Sequence, residues 1–424
     1  MAAKHLGIKA VIVMPVHTPT IKWQNVVRLG GQVVLHGADF DEAKRECARL
    51  AAEHGYTNIP PYDDPYVIAG QGTVGVEILR QMSMDAIDTI FVCVGGGGLL
   101  AGVAAYVKRL CPRIRVVGVE THDADAMTQS LAQRHRVELK EVGLFADGKA
   151  VRIVGEETFR VCRDLIDDMV LVSNDEICAA IKDIFEDTRS ICEPAGALSV
   201  AGLKKYLSLH PELRGGTHVA VLSGANMNFE RLGFVAERAA IGEQTEALVS
   251  AIIPERPGSF FNFYEHIHPR SVMELAYRYS DPDQAYIYVS FRVEDRKAEV
   301  PDIIASLQRD SIQAWDISEN EMAKTHGRYL MGGRMQVENE RLYRFTFPER
   351  PGALYKFLRG LWAGGTGWNF SLFHYRDHGA DMGKVLVGLQ VPDEELESFH
   401  RFLDSLNVQY VDETNNVFSK QFLS

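Results

Sequence analysis

Cysteine is scarce in this chain. There are six in 424 residues (Cys47, Cys93, Cys111, Cys162, Cys178 and Cys192), none beyond position 192, and no C-x-x-C pair among them. That pattern supports neither a disulfide frame nor a zinc site, and it suits reduced, buried thiols in a cytoplasmic protein; no metal is expected. Blocks of like charge are missing too. The net charge of −12 is spread along the chain, which argues against nucleic acid or a membrane surface as the main partner. Neither H-E-x-x-H nor G-x-S-x-G occurs, so metallo- and serine-hydrolase chemistry find no support. The opening "MAAKHLGIKAVIVMPVHTP" has only a short apolar run and no small-residue cleavage pattern, and reads as no secretory signal. One stretch free of charge, Ile90 to Val107, has eighteen residues, the lower limit for a membrane span. Four consecutive glycines would spoil it as a continuous helix, and it reads instead as buried strand, loop and buried helix.

What is present is alternation. "KAVIVMPV" reads as strand, "TIKWQNVVRLG" as helix, "GQVVLHG" as strand and "FDEAKRECARLAAEHG" as helix. The same order continues through "TVGVEILRQM", "TIFVCVG", "LLAGVAAYVKRL", "IRVVGVE", the helix "SNDEICAAIKDIFED" with Ser173 as its N-cap, and the strand "THVAVLSG". Short Val/Ile-rich strands between amphipathic helices predict an α/β fold with a mostly parallel sheet.

Near residue 245 the texture changes and a repeat begins. "IIPERPGSFFNFYEHI" (Ile252 to Ile267) is echoed by "TFPERPGALYKFLRGL" (Thr346 to Leu361), with Pro254 to Gly258 matching Pro348 to Gly352 letter for letter. Tyr277-Arg278 and Tyr375-Arg376 recur at matching places, before the strands "AYIYVSFRV" and "GKVLVGLQV". Each copy therefore reads strand, helix, strand, strand, helix, strand, with the Pro-Gly step marking a turn into the first helix.

The four glycines follow a strand and open a helix, which leaves backbone N–H groups unobstructed at the positive end of the helix dipole. This is how a chain holds a phosphate. No Gly-Lys-Ser/Thr follows, and the spacing is not that of a dinucleotide fingerprint. Close packing of helix on sheet is the other reason for such a run.

Taken in order, "VGGGGLLAG", "VVGVE", "LFADGKAV", "EPAGALSVAGLKKY" and "LSGANMNF" resemble the fold-type-II pyridoxal-phosphate enzymes of the tryptophan-synthase-β type. With the duplicated C-terminal unit, the chain resembles the biosynthetic threonine dehydratase (threonine ammonia-lyase) family, whose catalytic region precedes two ACT-like regulatory modules. The resemblance runs from the first residues to Asn416. It implies a pyridoxal 5'-phosphate cofactor, with the phosphate held by Gly95, Gly96, Gly97, Gly98 and Leu99, and Ser223 facing the pyridine nitrogen. A hydroxyl at that place does not keep the ring protonated as a carboxylate would, which suits elimination from the β-carbon. The implied reaction turns L-threonine, or L-serine, into a 2-oxo acid and ammonia, as the first step of isoleucine biosynthesis. Isoleucine and valine are the implied effectors, and a homotetramer the implied assembly.

The family's Schiff-base lysine sits in an S-x-K-x-R-G-A segment followed by S-A-G-N-H-x-x-G, and neither occurs in these residues. Lys4, Lys9, Lys22 and Lys44 fall where the family has ordinary helix or strand, so no catalytic residue is assigned. An N-terminally truncated dehydratase is expected, inactive alone. An amino-acid-sensing chain that assembles with full-length subunits is the alternative, and another fold-type-II lyase with similar regulation a third. The expected division is 1–62, a remnant of the smaller cofactor-enclosing domain; 63–245, the main cofactor domain; 246–323, the first ACT-like module; 324–340, a linker; and 341–424, the second module. Each module's turn, Glu255 to Gly258 and Glu349 to Gly352, is expected to offer backbone donors to an amino-acid carboxylate. The second is favoured, through Glu349, Arg350, Gly352 and Asn369. Glu120 and Glu193, beside strand or turn signals, are left unassigned.

Overall fold

The computed structural model describes all residues except 17, 19, 38, 39, 141, 144, 147, 149, 150, 280, 322, 328–334, 349–351, 364–366, 377–381, 407 and 417–424. The chain divides into two units, Met1–Gly242 and Glu243–Ser424.

The first unit opens with a short helix α1 (Ala2–Leu6) and a small parallel pair, β1 (Val11–Met14) and β2 (Gln32–Leu35), with helices α2 (Thr20–Arg28) and α3 (Phe40–His54). Helices α4 (Pro65–Gln71) and α5 (Thr73–Gln81) lead to the main sheet. Its strands are β3 (Thr89–Cys93), β4 (Arg115–Thr121), β5 (Asp168–Val172) and β6 (His218–Ala220), all parallel, in the order β5-β4-β3-β6. Between them run α6 (Gly98–Leu110), α7 (Ala126–Gln133), α8 (Glu156–Leu165), α9 (Asn174–Thr188) and α10 (Pro194–Leu209), with α11 (Arg231–Gly242) closing the unit.

All five residues of β3 are buried, as a central strand covered on both faces requires. Phe91 and Cys93 join the core formed with α9 and α10, while Ile90 and Val92 join the one formed with α6. The expected start of α9 is seen in full: Ser173 Oγ accepts the Glu176 N–H (3.2 Å), and the Glu176 carboxylate accepts the Ser173 N–H (2.7 Å).

In the second unit the repeat folds as the sequence predicts. The first copy is β7 (Glu246–Pro254), α12 (Ser259–Ile267), β8 (Val272–Arg278), β9 (Gln284–Arg292), α13 (Arg296–Arg309) and β10 (Gln313–Asp316). The second is β11 (Glu340–Pro348), helix Ala353–Ala363, β12 (Phe370–Arg376), β13 (Met382–Gln390), helix Leu396–Ser405 and β14 (Gln409–Asp412). The copies join through antiparallel pairing of β8 with β12, Tyr277 opposite Phe373 and Leu275 opposite Tyr375. One eight-stranded sheet results, in the order β10-β7-β9-β8-β12-β13-β11-β14, which reads the same from either end in terms of the repeat. Across the seam, Arg278 of β8 forms a buried ion pair with Glu340, whose carboxylate also accepts the Ser371 hydroxyl.

Removing one partner of a buried ion pair costs about 3–5 kcal/mol, whereas losing an N-cap side chain costs about 1 kcal/mol. Urea denaturation is therefore expected to find Glu340→Ala several-fold more destabilising than Ser173→Ala, with the loss confined to the transition of the second unit.

Candidate functional site

Strands in a parallel sheet end at one edge, and an open α/β sheet binds ligands there. Gly95, Gly96, Gly97, Gly98 and Leu99 leave β3 at that edge and turn into α6. The four glycines are buried, and Leu99 packs against both cores of the unit. Gly97 is the N-cap of α6, in the left-handed region at φ 93°, and no side chain caps the helix. The first described bond of the helix is Ala101 N–H to Gly97 C=O (2.9 Å). Among the described residues, the amides just before it have no protein acceptor, so the donor set a phosphate needs is present.

Packing also demands these glycines. A Cβ on Gly96 would lie 2.3 Å from the Tyr62 ring, and one on Gly97 would meet Met127 Cε at 2.7 Å and Thr158 Oγ1 at 2.9 Å. Close packing thus accounts for glycine at 96 and 97 whether or not the loop holds a phosphate, and a bulky replacement there would not separate the two readings.

Ser223 follows β6, beside β3 in the sheet. The Cys93 thiol lies 3.3 Å from its hydroxyl, and Ser223 is otherwise open to solvent. The glycine loop begins two residues after Cys93, so the strand pairing brings the predicted phosphate and pyridine-nitrogen contacts to one edge. Pyridoxal phosphate fits these residues: amides at an uncapped helix start for its phosphate, and a neutral hydroxyl for its ring.

The two unassigned glutamates part company. Glu193 precedes α10, its N–H donates to Gly224 C=O (3.2 Å), and its carboxylate lies against Gly224, the neighbour of Ser223. Glu120 is 1% exposed and caps α7, accepting Met127 N–H (2.9 Å), Thr128 N–H (2.9 Å) and the Thr128 hydroxyl (2.7 Å). Burial pushes its carboxyl up to about 7 against the pull of those donors.

Cys93, Tyr62, Asp63 and Thr158 complete the surroundings of the loop, and sequence reasoning did not find them. Their partners lie 62 to 130 residues away. The one available signal was the run of polar and aromatic residues in "PPYDDP".

In the second unit, Glu349 and Arg350 lie outside the described residues, and Gly352 is exposed at φ 80°. Asn369 turns to the first copy: its Nδ2 donates to Glu255 Oε1 (2.8 Å) and to Gln390 Oε1 (3.4 Å). The Tyr277 hydroxyl donates to Glu255 Oε2 (2.6 Å), with Phe370 C=O 2.9 Å away. Burial raises the Glu255 carboxyl above its ordinary range.

The expected row of backbone donors in the first turn is largely used up. Glu255 N–H bonds Asp283, Arg256 N–H bonds Pro254 and Ser259 N–H bonds Arg256, while Pro257 has no N–H. Beside this turn Phe261 and Trp362 stack 11° from parallel, and the Trp362 indole lies where a Gly258 side chain would be.

The pyridoxal-phosphate dependent enzyme family matches residues 1–224, and the C-terminal regulatory domain of threonine dehydratase matches residues 237–326 and 331–423. The chain is 57% identical to the mitochondrial threonine dehydratase of Saccharomyces cerevisiae, over 100% of this chain and 75% of the relative. It is 52% identical to the biosynthetic L-threonine dehydratase of Pasteurella multocida, over 100% of this chain and 82% of the relative. Among solved structures, the processed threonine deaminase isoform 2 of Solanum lycopersicum is similar at a TM-score of 0.54 and 48% identity, over 57% of this chain and 65% of that one. Maize serine racemase follows at 0.51 and 34%, over 55% and 71%. Among the described residues no helix is long and apolar enough to cross a membrane. The yeast relative's mitochondrial name leaves the expected cytoplasmic location unconfirmed.

Glu120 provides a test of the first unit that needs no ligand. Burial pushes its folded carboxyl up to about 7, above the ordinary glutamate value of about 4.3, so its contribution to stability is full below that ordinary value and is lost as pH rises through 7. Urea midpoints measured from pH 4.5 to 7.5 should fall more steeply for the native chain than for Glu120→Gln, whose side chain does not ionise. Parallel curves would show that the Glu120 carboxyl is not raised.

Proposed function

The chain belongs to the threonine dehydratase family of pyridoxal-phosphate-dependent enzymes, and from that premise we propose that it serves the conversion of L-threonine to 2-oxobutyrate and ammonia under control by isoleucine and valine. The observation that carries the catalytic half is the shared edge: a buried glycine loop opening an uncapped helix, with Ser223 in the segment that follows the neighbouring strand β6. When bound, pyridoxal phosphate would supply an electron-withdrawing ring that makes the α-proton of the amino acid easier to remove.

The chain's own part is to hold and orient. Amides of residues 95–99 hold the phosphate, with the dipole of the 13-residue α6 behind them. Ser223, fixed by the Cys93 thiol, offers a hydroxyl to the ring nitrogen without adding charge. Glu193, beside Gly224, closes the same edge with a carboxylate.

The amine that binds the cofactor covalently and moves the α-proton is not assigned to any lysine in these residues. We therefore expect them to hold the cofactor without a covalent link. Incubated with pyridoxal phosphate and L-threonine, then reduced with borohydride, the 424-residue chain should yield no labelled lysine and no 2-oxobutyrate. Adding the lysine-bearing S-x-K-x-R-G segment should restore turnover. A label on one of its own lysines together with turnover would overturn this assignment, and a restored chain that stays inactive but still binds isoleucine would favour the sensing role.

For the regulatory half, the supporting observation is the Glu255–Asn369–Tyr277 cluster at the seam between copies, beside the aromatic wall of Phe261 and Trp362. A carboxylate and an amide suit the two ends of an amino acid, and the wall suits a branched aliphatic side chain. Assembly as a tetramer is part of the same proposal and is read by light scattering. Calorimetry of the full chain is expected to detect isoleucine binding, weakened tenfold or more by Asn369→Ala and by Glu255→Gln. Binding unchanged in both variants would remove the seam as the site, and no heat at millimolar isoleucine would remove the effector.

A further inference from the structure

The glycine loop is held from behind by a chain of hydrogen bonds that ends outside it. The Gly96 carbonyl accepts two donors, the Thr158 hydroxyl (2.6 Å) and the Gly155 N–H (3.3 Å). Thr158 is 0% exposed and stands in the first turn of α8, whose N-cap, Gly155, has no side chain to offer. Asp63 takes over that duty from 93 residues away: its carboxylate accepts Glu156 N–H and Glu157 N–H, each at 2.9 Å. On the far side of the same peptide, Gly97 is confined by Thr158 and Met127, and its own carbonyl is fixed by Ala101 N–H.

A trans peptide is planar, and its C=O and N–H point in opposite directions. Anchoring the Gly96 carbonyl on Thr158 therefore fixes the Gly97 N–H to face away from Thr158, out of the core. Among the described residues that N–H meets no protein acceptor. Glycine at 96 and 97 has no side chain to resist rotation of this peptide, so the anchor must come from elsewhere.

We propose that Thr158, braced by Asp63 at the start of α8, is a positioning residue that presents the Gly97 amide as a donor to the cofactor's phosphate. The proposal rests on the reading of the loop as the phosphate cradle. It requires no contact between Thr158 and the cofactor. The hydroxyl acts through the peptide plane, and Val, which matches Thr in shape but cannot donate, removes that action alone.

The test uses pyridoxamine 5'-phosphate, an amine that cannot form a covalent link to a lysine, and pyridoxamine, which lacks the phosphate. Binding of each to the full chain is measured by fluorescence, alongside thermal melting. Thr158→Val should weaken pyridoxamine 5'-phosphate about tenfold, the scale of one oriented hydrogen bond to a charged group, and leave pyridoxamine unchanged. Thr158→Ser should recover the native value. Asp63→Asn, which acts on the start of α8 and makes no hydrogen bond to the glycines among the described residues, should move the phosphorylated ligand in the same direction by less, and it decides the matter if Thr158→Val does not fold. Equal losses for both ligands, or no loss in a folded variant, would overturn the positioning role. A native chain that does not prefer the phosphorylated ligand would instead overturn the cradle on which the role rests.

Discussion

Parallel pairing of β3 with β4 on one side and β6 on the other is the constraint on which the first unit depends. Because the three strands run the same way, whatever follows each of them emerges at one edge. The glycine loop follows β3 and Ser223 follows β6; 130 residues separate Cys93 from Ser223, yet thiol and hydroxyl are 3.3 Å apart. The helices serve this edge as well as the cores. Helix α10 brings Glu193 against Gly224, with Gly196 so close to the Gly224 carbonyl that a Cβ would sit 2.3 Å from it. The polar residues lie on loops, and the buried strands hold them still.

The second unit solves a different problem with the same economy. A duplicated segment could fold as two separate modules, each with an exposed edge at β8 or β12. Instead those edges pair with each other, and a single apolar core includes Phe263 and Ile287 of one copy with Phe345 and Phe373 of the other. The two copies thus resemble an isologous dimer written into one chain. The identity is broken at the seam, where Asn369 in the second copy answers to Ser271 in the first. The asparagine reaches across to a carboxylate, Glu255.

Much of this was legible in the sequence because it is periodic or repeated. The Val/Ile runs of β3 and β4, the Ser173 N-cap and the echo of "PERPG" each carry their signal within a few residues, and the strands, helix start and duplication followed from them. The strand read from "THVAVLSG" shrinks to three residues, His218–Ala220, because the chain then leaves the ladder to form the site. Among the elements that the sequence pattern does not announce are helices α7, α8 and α11. The first two are held at their starts by carboxylates from other segments, Glu120 for α7 and Asp63 for α8, so their caps are not written next to them. Thr158 and Asp63 went unremarked for the same reason: a side chain that bonds a distant backbone atom leaves no spacing to read. The glycine run signals both exposed backbone and close packing, while the particular contacts with Tyr62, Met127 and Thr158 depend on tertiary structure.

The palindromic order of the eight-stranded sheet has a consequence for its borders. Its outermost strands, β10 and β14, have four residues each, whereas the strands they cover, β7 and β11, have nine. Both short strands end in aspartate, Asp316 and Asp412. A neighbouring sheet arriving edge to edge would find a ladder too brief to hold it and a carboxylate at its end, and edges trimmed in this way discourage open-ended strand addition. The duplication that doubled the sheet thus left it with two blunt margins, finite in width.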